Sequence, residues 1–171
     1  SCAHFCYALQ GNYRFDNVQK PRAQNLAILK QLYLDGGIDL VADALTAMLQ
    51  NMVDETPRVR EPWIRIHDSG DFFKRWYFEA WNIALARVPD VHAYAYTKMI
   101  DFVEHVTAPN FNITQSVGGL ADHRIDPALS HARVFASNEE RIAAGYVDGS
   151  DTDIPAMMNQ QKIGPAYHGS E

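Results

Sequence analysis

Short apolar runs, each closed by glycine or a polar turn, alternate along this chain with segments of helical periodicity. Few architectures accept that order. Trp63-Ile64-Arg65-Ile66-His67, Val91–Tyr96, Asn112–Val117, Ala132–Ala136 and Ile163–Tyr167 read as strands. Between them lie Phe72–Arg87, with Phe73, Trp76, Tyr77, Ala80, Trp81 and Ala84 at helical spacing, and the shorter Met99–Val106. A third short helix follows Asn138, read as its N-cap, with Glu139 and Glu140 in a first turn that favours negative charge. Strands separated by helices join in parallel, so the reading is a single α/β domain over 1–171 with a mostly parallel sheet. Ahead of the first strand two helices are expected, from Asn17 to Tyr33 and along the stripe Val41, Ala44, Leu45, Met48, Leu49, Met52. Gly36-Gly37 should break them apart.

Composition removes several function classes. The net charge is −6 and no block of Lys or Arg occurs, which argues against a nucleic-acid partner. No apolar run approaches the ~18–20 residues that span a bilayer, and no leader is visible, so the expectation is a cytoplasmic protein. The sequence starts at Ser1 rather than Met, and a further segment is expected upstream. Cys2 and Cys6 are the two cysteines. A disulfide between them would close so small a loop that it would constrain the unfolded chain little, and cluster or metal ligation, ordinary thiols and a disulfide all stay open.

In parallel sheets ligands collect beyond the carboxyl ends of the strands. The residues to examine are therefore those that follow each strand. His67-Asp68-Ser69-Gly70-Asp71 is the densest polar stretch of this kind. Gly70 lets a ligand approach the backbone, and Asp68 or Asp71 suits an ammonium or hydroxyl group. Asp71 equally suits capping of the next helix. His67 has the chemistry of a general acid–base or a metal ligand, or of an ordinary hydrogen-bonded histidine. Lys98 closes the next strand and suits an anionic group, or it is a solvated loop lysine. Gln115-Ser116-Val117-Gly118-Gly119 offers a glycine pair for close approach but no phosphate-binding motif. A hydrolytic metal centre drawn from His67, Asp68, Asp71, Asp101 and His105 is the competing chemistry. A non-catalytic interaction domain is the third reading, with Trp63, Trp76 and Trp81 available for a partner or for the core.

Four segments taken in order carry a resemblance. Cys2-x-x-x-Cys6-Tyr7-Ala8, Ile64–Phe72, Tyr94-x-Tyr96-Thr97-Lys98 and Lys162-Ile163-Gly164 with Tyr167-His168-Gly169 resemble the phage-encoded gene-product-eighty-eight family. That pattern is similar to phage proteins of radical-SAM-like type. The resemblance implies a partial (β/α) barrel, an iron–sulfur cluster on Cys2 and Cys6, and S-adenosylmethionine as a small-molecule ligand. It implies contacts to that ligand from Ser69, Gly70 and Asp71, and the neighbouring rim adds Gln115 and Ser116. It leaves His67, Asp68, Asp71 and Lys98 as the candidate catalytic groups. The radical-SAM signature has three cysteines, and Leu9 stands at the third position here. The third ligand would then come from upstream of Ser1, His4 being a poor substitute.

Overall fold

A computed structural model describes residues 11–57 and 60–165. Cys2 and Cys6, with His4, Leu9 and Tyr167–Gly169, lie outside the described residues. Helix α1 (Asp16–Glu55) holds both N-terminal helical segments. They are separated where the sequence predicts, because Gly36 and Gly37 leave helical geometry and Gly37 takes φ 67°. Strand β1 (Trp63–Arg65), helix α2 (Arg75–Arg87), strand β2 (His92–Thr97), a 3₁₀ turn (Ile100–His105) and strand β3 (Phe111–Ser116) follow. The chain then adds β4 (His131–Ala132), α3 (Asn138–Ala143), β5 (Val147–Asp148), α4 (Ile154–Met157) and β6 (Lys162–Gly164).

The six strands form one sheet in the order β1-β2-β3-β4-β6-β5, and every neighbouring pair is parallel. The sheet curls into a half-barrel. Its two faces differ because side chains alternate along a strand. Ala93 and Ala95 of β2 and Phe111 and Ile113 of β3 face α1 and α2, in a core with Val41, Leu45, Leu49, Phe72, Phe78 and Leu85. Small side chains on β2 let the helices lie close, and Phe72, Phe78 and Phe111 fill the layer between. The opposite, concave face carries Tyr94 and Tyr96, packed with Trp63, Ala132, Ala156, Met157 and Ile163. Asn110 fixes the α2–β2 turn, its amide donating to the carbonyls of Leu85, Val88 and Val91.

Several boundaries differ from the sequence reading. The first strand stops at Arg65 and the helix after it starts at Arg75 rather than Phe72, which makes residues 66–74 a loop. The strand read over 132–136 is only His131–Ala132, and the last strand is Lys162–Gly164. Ser137, not Asn138, caps α3, accepting from the Glu140 amide at 3.3 Å. Strand β5 and helix α4 went unread, having two and four residues and no periodicity to show. All three tryptophans pack: Trp81 is buried, Trp76 stacks on Tyr33 at 4.2 Å, and Trp63 stacks on His92 at 4.8 Å.

Candidate functional site

The carboxyl rim is built where β1, β2 and β3 end together. After the Ile66 amide donates to Tyr94, His67 takes φ 65°, an uncommon value for a non-glycine residue, and turns the chain out of the sheet. Its ring lies edge-on to Phe72 at 4.6 Å, and Nε2 meets the Tyr77 hydroxyl at 3.2 Å. Nδ1 is buried and has no hydrogen-bond partner among the described residues. Burial pushes the His67 pKa below its ordinary value, against the opposing pull of Asp71. The imidazole is therefore a neutral, packed group behind the rim.

Asp68 turns outward and accepts a hydrogen bond from the Tyr13 hydroxyl. Ser69 and Gly70 form the open tip of the turn; Gly70 has φ 92° and free space where a Cβ would stand. Asp71 faces inward. One carboxylate oxygen accepts from the Phe72 amide at 2.8 Å and from the Thr97 hydroxyl at 2.6 Å. The other accepts from the Lys98 amide at 2.8 Å. Helix α2 is capped at Lys74 without any side-chain bond, so Asp71 does not cap it. It ties the turn after β1 to the end of β2.

That tie aims Lys98. The ammonium donates to Ser116 Oγ at 3.2 Å and to the Val117 carbonyl at 3.3 Å. Among the described residues no carboxylate pairs with it. The glycine pair makes room for it. A Cβ on Gly119 would stand 3.2 Å from Lys98 Cβ, and Gly118, at φ 103°, passes close to Nζ. Both glycine amides donate to the Asp122 carboxylate, at 2.9 and 2.8 Å. Gln115 is turned away from the rim. Its amide group clamps Asp126, donating to the carbonyl and accepting from the amide at 2.9 Å each.

The structure thus brings Asp71, Lys98 and Ser116 together, with Ser69 and Gly70 alongside, and leaves Asp68 and Gln115 facing elsewhere. The hydrolytic centre does not assemble. Asp101 pairs with Arg124 and His105 lies against Glu104, and no group of three metal-ligating side chains exists among the described residues.

Sequence reading missed a second cluster on the concave face. Asp153, the residue before α4, accepts from Arg65 Nη1 at 2.9 Å, from the Tyr94 hydroxyl at 3.0 Å and from the Tyr96 hydroxyl at 3.4 Å. The Arg65 guanidinium also lies 5.5 Å from the centre of the Tyr96 ring. Burial, reinforced by the bond to Asp153, pushes the Tyr94 pKa up to about 12, and that of Tyr96 is raised by burial and by the negative charge of Asp153. The visible signal was the alternation Tyr94-x-Tyr96 against Ala93-x-Ala95, which marks one face of β2 as polar-tipped.

The family model described as Gene product 88 matches residues 1–169. The chain belongs to the gene product 88 family. Among curated relatives, the Gene 88 protein of Mycobacterium phage L5 is 31% identical over 99 residues, 57% of this chain and 40% of that protein. The Gene 88 protein of Mycobacterium phage D29 is 29% identical over 99 residues, with the same shares. The matched stretch thus spans well under half the length of these members of the family. No solved structure matches the chain. Among the described residues no helix is long and apolar enough to cross a membrane.

Proposed function

We propose that this phage gene 88 family protein binds a small anionic ligand at the carboxyl rim of its half-barrel, with Lys98 as the electrostatic anchor. The observation that carries the reading is the state of Lys98. Its ammonium is half-buried, held in place by two neutral oxygens, and paired with no carboxylate among the described residues. A cation arranged in this way gains from an incoming carboxylate or phosphate, because little water or counter-charge has to be displaced first. Ser116 and the Val117 carbonyl supply the neutral polar contacts beside it.

The finer form of the reading is radical-SAM-like. Cys2 and Cys6 hold an iron–sulfur cluster, and S-adenosylmethionine is the ligand, acting in the cytoplasm of the host. The rim suits the carboxylate end of that molecule. Both oxygens of Asp71 already accept hydrogen bonds, so the turn offers little to the ammonium end. A bound cluster would supply the electron for cleaving the sulfonium. The chain's own contribution is to hold the methionyl carboxylate at Lys98 and to keep the β1 and β2 ends in register through Asp71.

Anaerobic purification of the protein from its complete reading frame, with iron, sulfide and absorbance analysis, tests the cluster. A protein that stays colourless after reconstitution refutes it. Calorimetric titration with S-adenosylmethionine and with inorganic phosphate tests the anchor. Binding that weakens at least about tenfold in Lys98→Ala is expected, the loss of one charge-assisted contact. Binding unchanged by that substitution, or absent in the parent protein, removes the anchor. A non-catalytic interaction domain is the second reading, favoured by Ile28 and Leu34 on α1, which are 56% and 77% exposed. It predicts a co-purifying partner that persists in the Cys2→Ser, Cys6→Ser double variant and is lost in Ile28→Glu, Leu34→Glu.

A further inference from the structure

Three donors from the sheet converge on one carboxylate, and that carboxylate comes from outside the sheet. Arg65 on β1 and Tyr94 and Tyr96 on β2 share the concave face. Asp153, which they meet, sits on the short connection leading into a helix of four residues. An aspartate immediately before a helix ordinarily caps it, yet Asp153 makes no side-chain cap bond. Its carboxylate meets Arg65, Tyr94 and Tyr96 of the sheet instead. Both phenols keep their protons at neutral pH, so they remain donors when the acceptor changes. The cluster is within reach of solvent, with the Arg65 and Asp153 side chains 34% and 27% exposed.

We propose that Arg65, Tyr94 and Tyr96 form a carboxylate-binding site on the concave face, that Asp153 occupies it as an internal stand-in, and that a small carboxylate-bearing ligand displaces Asp153. A guanidinium with two neutral hydroxyls recognises a carboxylate through one ion-paired hydrogen bond and two from neutral donors to the charged acceptor, the set Asp153 itself receives. The displacement needs only the Asp153 side chain to rotate. The backbone of the segment stays anchored by Ala156, which is fully buried, and by the Asn112 amide donating to the Met157 carbonyl at 2.7 Å.

The site also joins the rim. Tyr94 and Tyr96 point to the same face of β2, and Lys98 follows two residues on, reaching Ser116 on the neighbouring strand. Arg65 stands level with Tyr94, and Lys98 lies two same-face intervals further on, about 13 Å along the strand, so a long dicarboxylate such as sebacate can engage Arg65 and Lys98 together. This extension to a dicarboxylate rests on the Lys98 reading. The Arg65 site itself does not.

The test titrates acetate, succinate, sebacate and inorganic phosphate into the full protein at low ionic strength. Removing the internal competitor vacates the Asp153 position, so Asp153→Ala and Asp153→Asn should bind succinate about 10–100-fold tighter than the parent, the gain expected when the open state is populated at ~1–10%. Adding Arg65→Gln should abolish that gain. Circular dichroism identifies which of the two Asp153 variants is folded, and a folded variant that binds succinate no tighter overturns the proposal. Phosphate gaining more than succinate overturns the carboxylate assignment. In Asp153→Ala, a preference for sebacate over acetate that disappears on Lys98→Ala supports the dicarboxylate. Equal binding of the two with Lys98 present removes the rim from the ligand and leaves the Arg65 site standing.

Discussion

Replacing Asp71 should cost stability before it costs anything else. Its carboxylate accepts from the Phe72 amide, the Thr97 hydroxyl and the Lys98 amide, at 2.6 to 2.8 Å. Each hydrogen bond to a charged acceptor contributes roughly 1.5–3 kcal/mol, and three bonds to one group do not add fully. Thr97 is 1% exposed and Phe72 fully buried, so neither donor has bulk water to turn to when the carboxylate is removed. Asp71→Ala is therefore expected to lose about 3–5 kcal/mol. Asp71→Asn keeps the shape but sets an NH2 group against either the Lys98 amide or the Phe72–Thr97 pair, and should lose about 2–3 kcal/mol. Urea denaturation followed by circular dichroism measures both. Thr97→Val, which removes the shared hydroxyl, should couple to Asp71→Ala by at least about 0.5 kcal/mol in a double-mutant cycle. A folded Asp71→Ala protein that loses less than about 1 kcal/mol would refute the argument, since its carboxylate would then be free for a ligand.

Other expectations concern the core and the titrating groups. Phe78, fully buried between Phe72, Phe102 and Phe111, should lose about 3–5 kcal/mol when changed to Ala, lowering Tm by about 6–20 °C in a scan. His67 is held below its ordinary pKa, so the unfolded chain takes up a proton first as pH falls. Its contribution to stability is complete above about pH 6.5 and is lost as pH drops toward the lower folded value. His67→Asn, which accepts the same positive φ, should flatten that part of a Tm-against-pH profile; an unchanged slope contradicts the burial account. Tyr94, raised to about 12, favours the folded state until pH passes the free value near 10 and is lost between the two. In an ultraviolet phenolate titration, Tyr94→Phe should remove a late-titrating group, and Asp153→Ala should shift it only part of the way back, because burial is the larger cause.

How much of this lay open in the sequence depends on how local the causes are. The parallel order was legible because alternation of strand and helix dictates it, and the break at Gly36-Gly37 because glycine costs a helix its continuity wherever it falls. The rim was legible as a place, since strand ends must converge on one side of a parallel sheet. The roles within it were not. Nothing near Asp71 in sequence shows that Thr97 and Lys98, 26 and 27 residues later, take both its oxygens. The same gap hid the concave cluster, where Asp153 stands 88 residues from Arg65 in a stretch with neither periodicity nor motif. A carboxylate close to a glycine turn reads as a ligand site from the chain alone, but its meaning is set by how many donors the fold has already pointed at it. By that measure the two proposals rest on Lys98, which no carboxylate has claimed among the described residues, and on the set Arg65, Tyr94 and Tyr96, which already holds the carboxylate of Asp153.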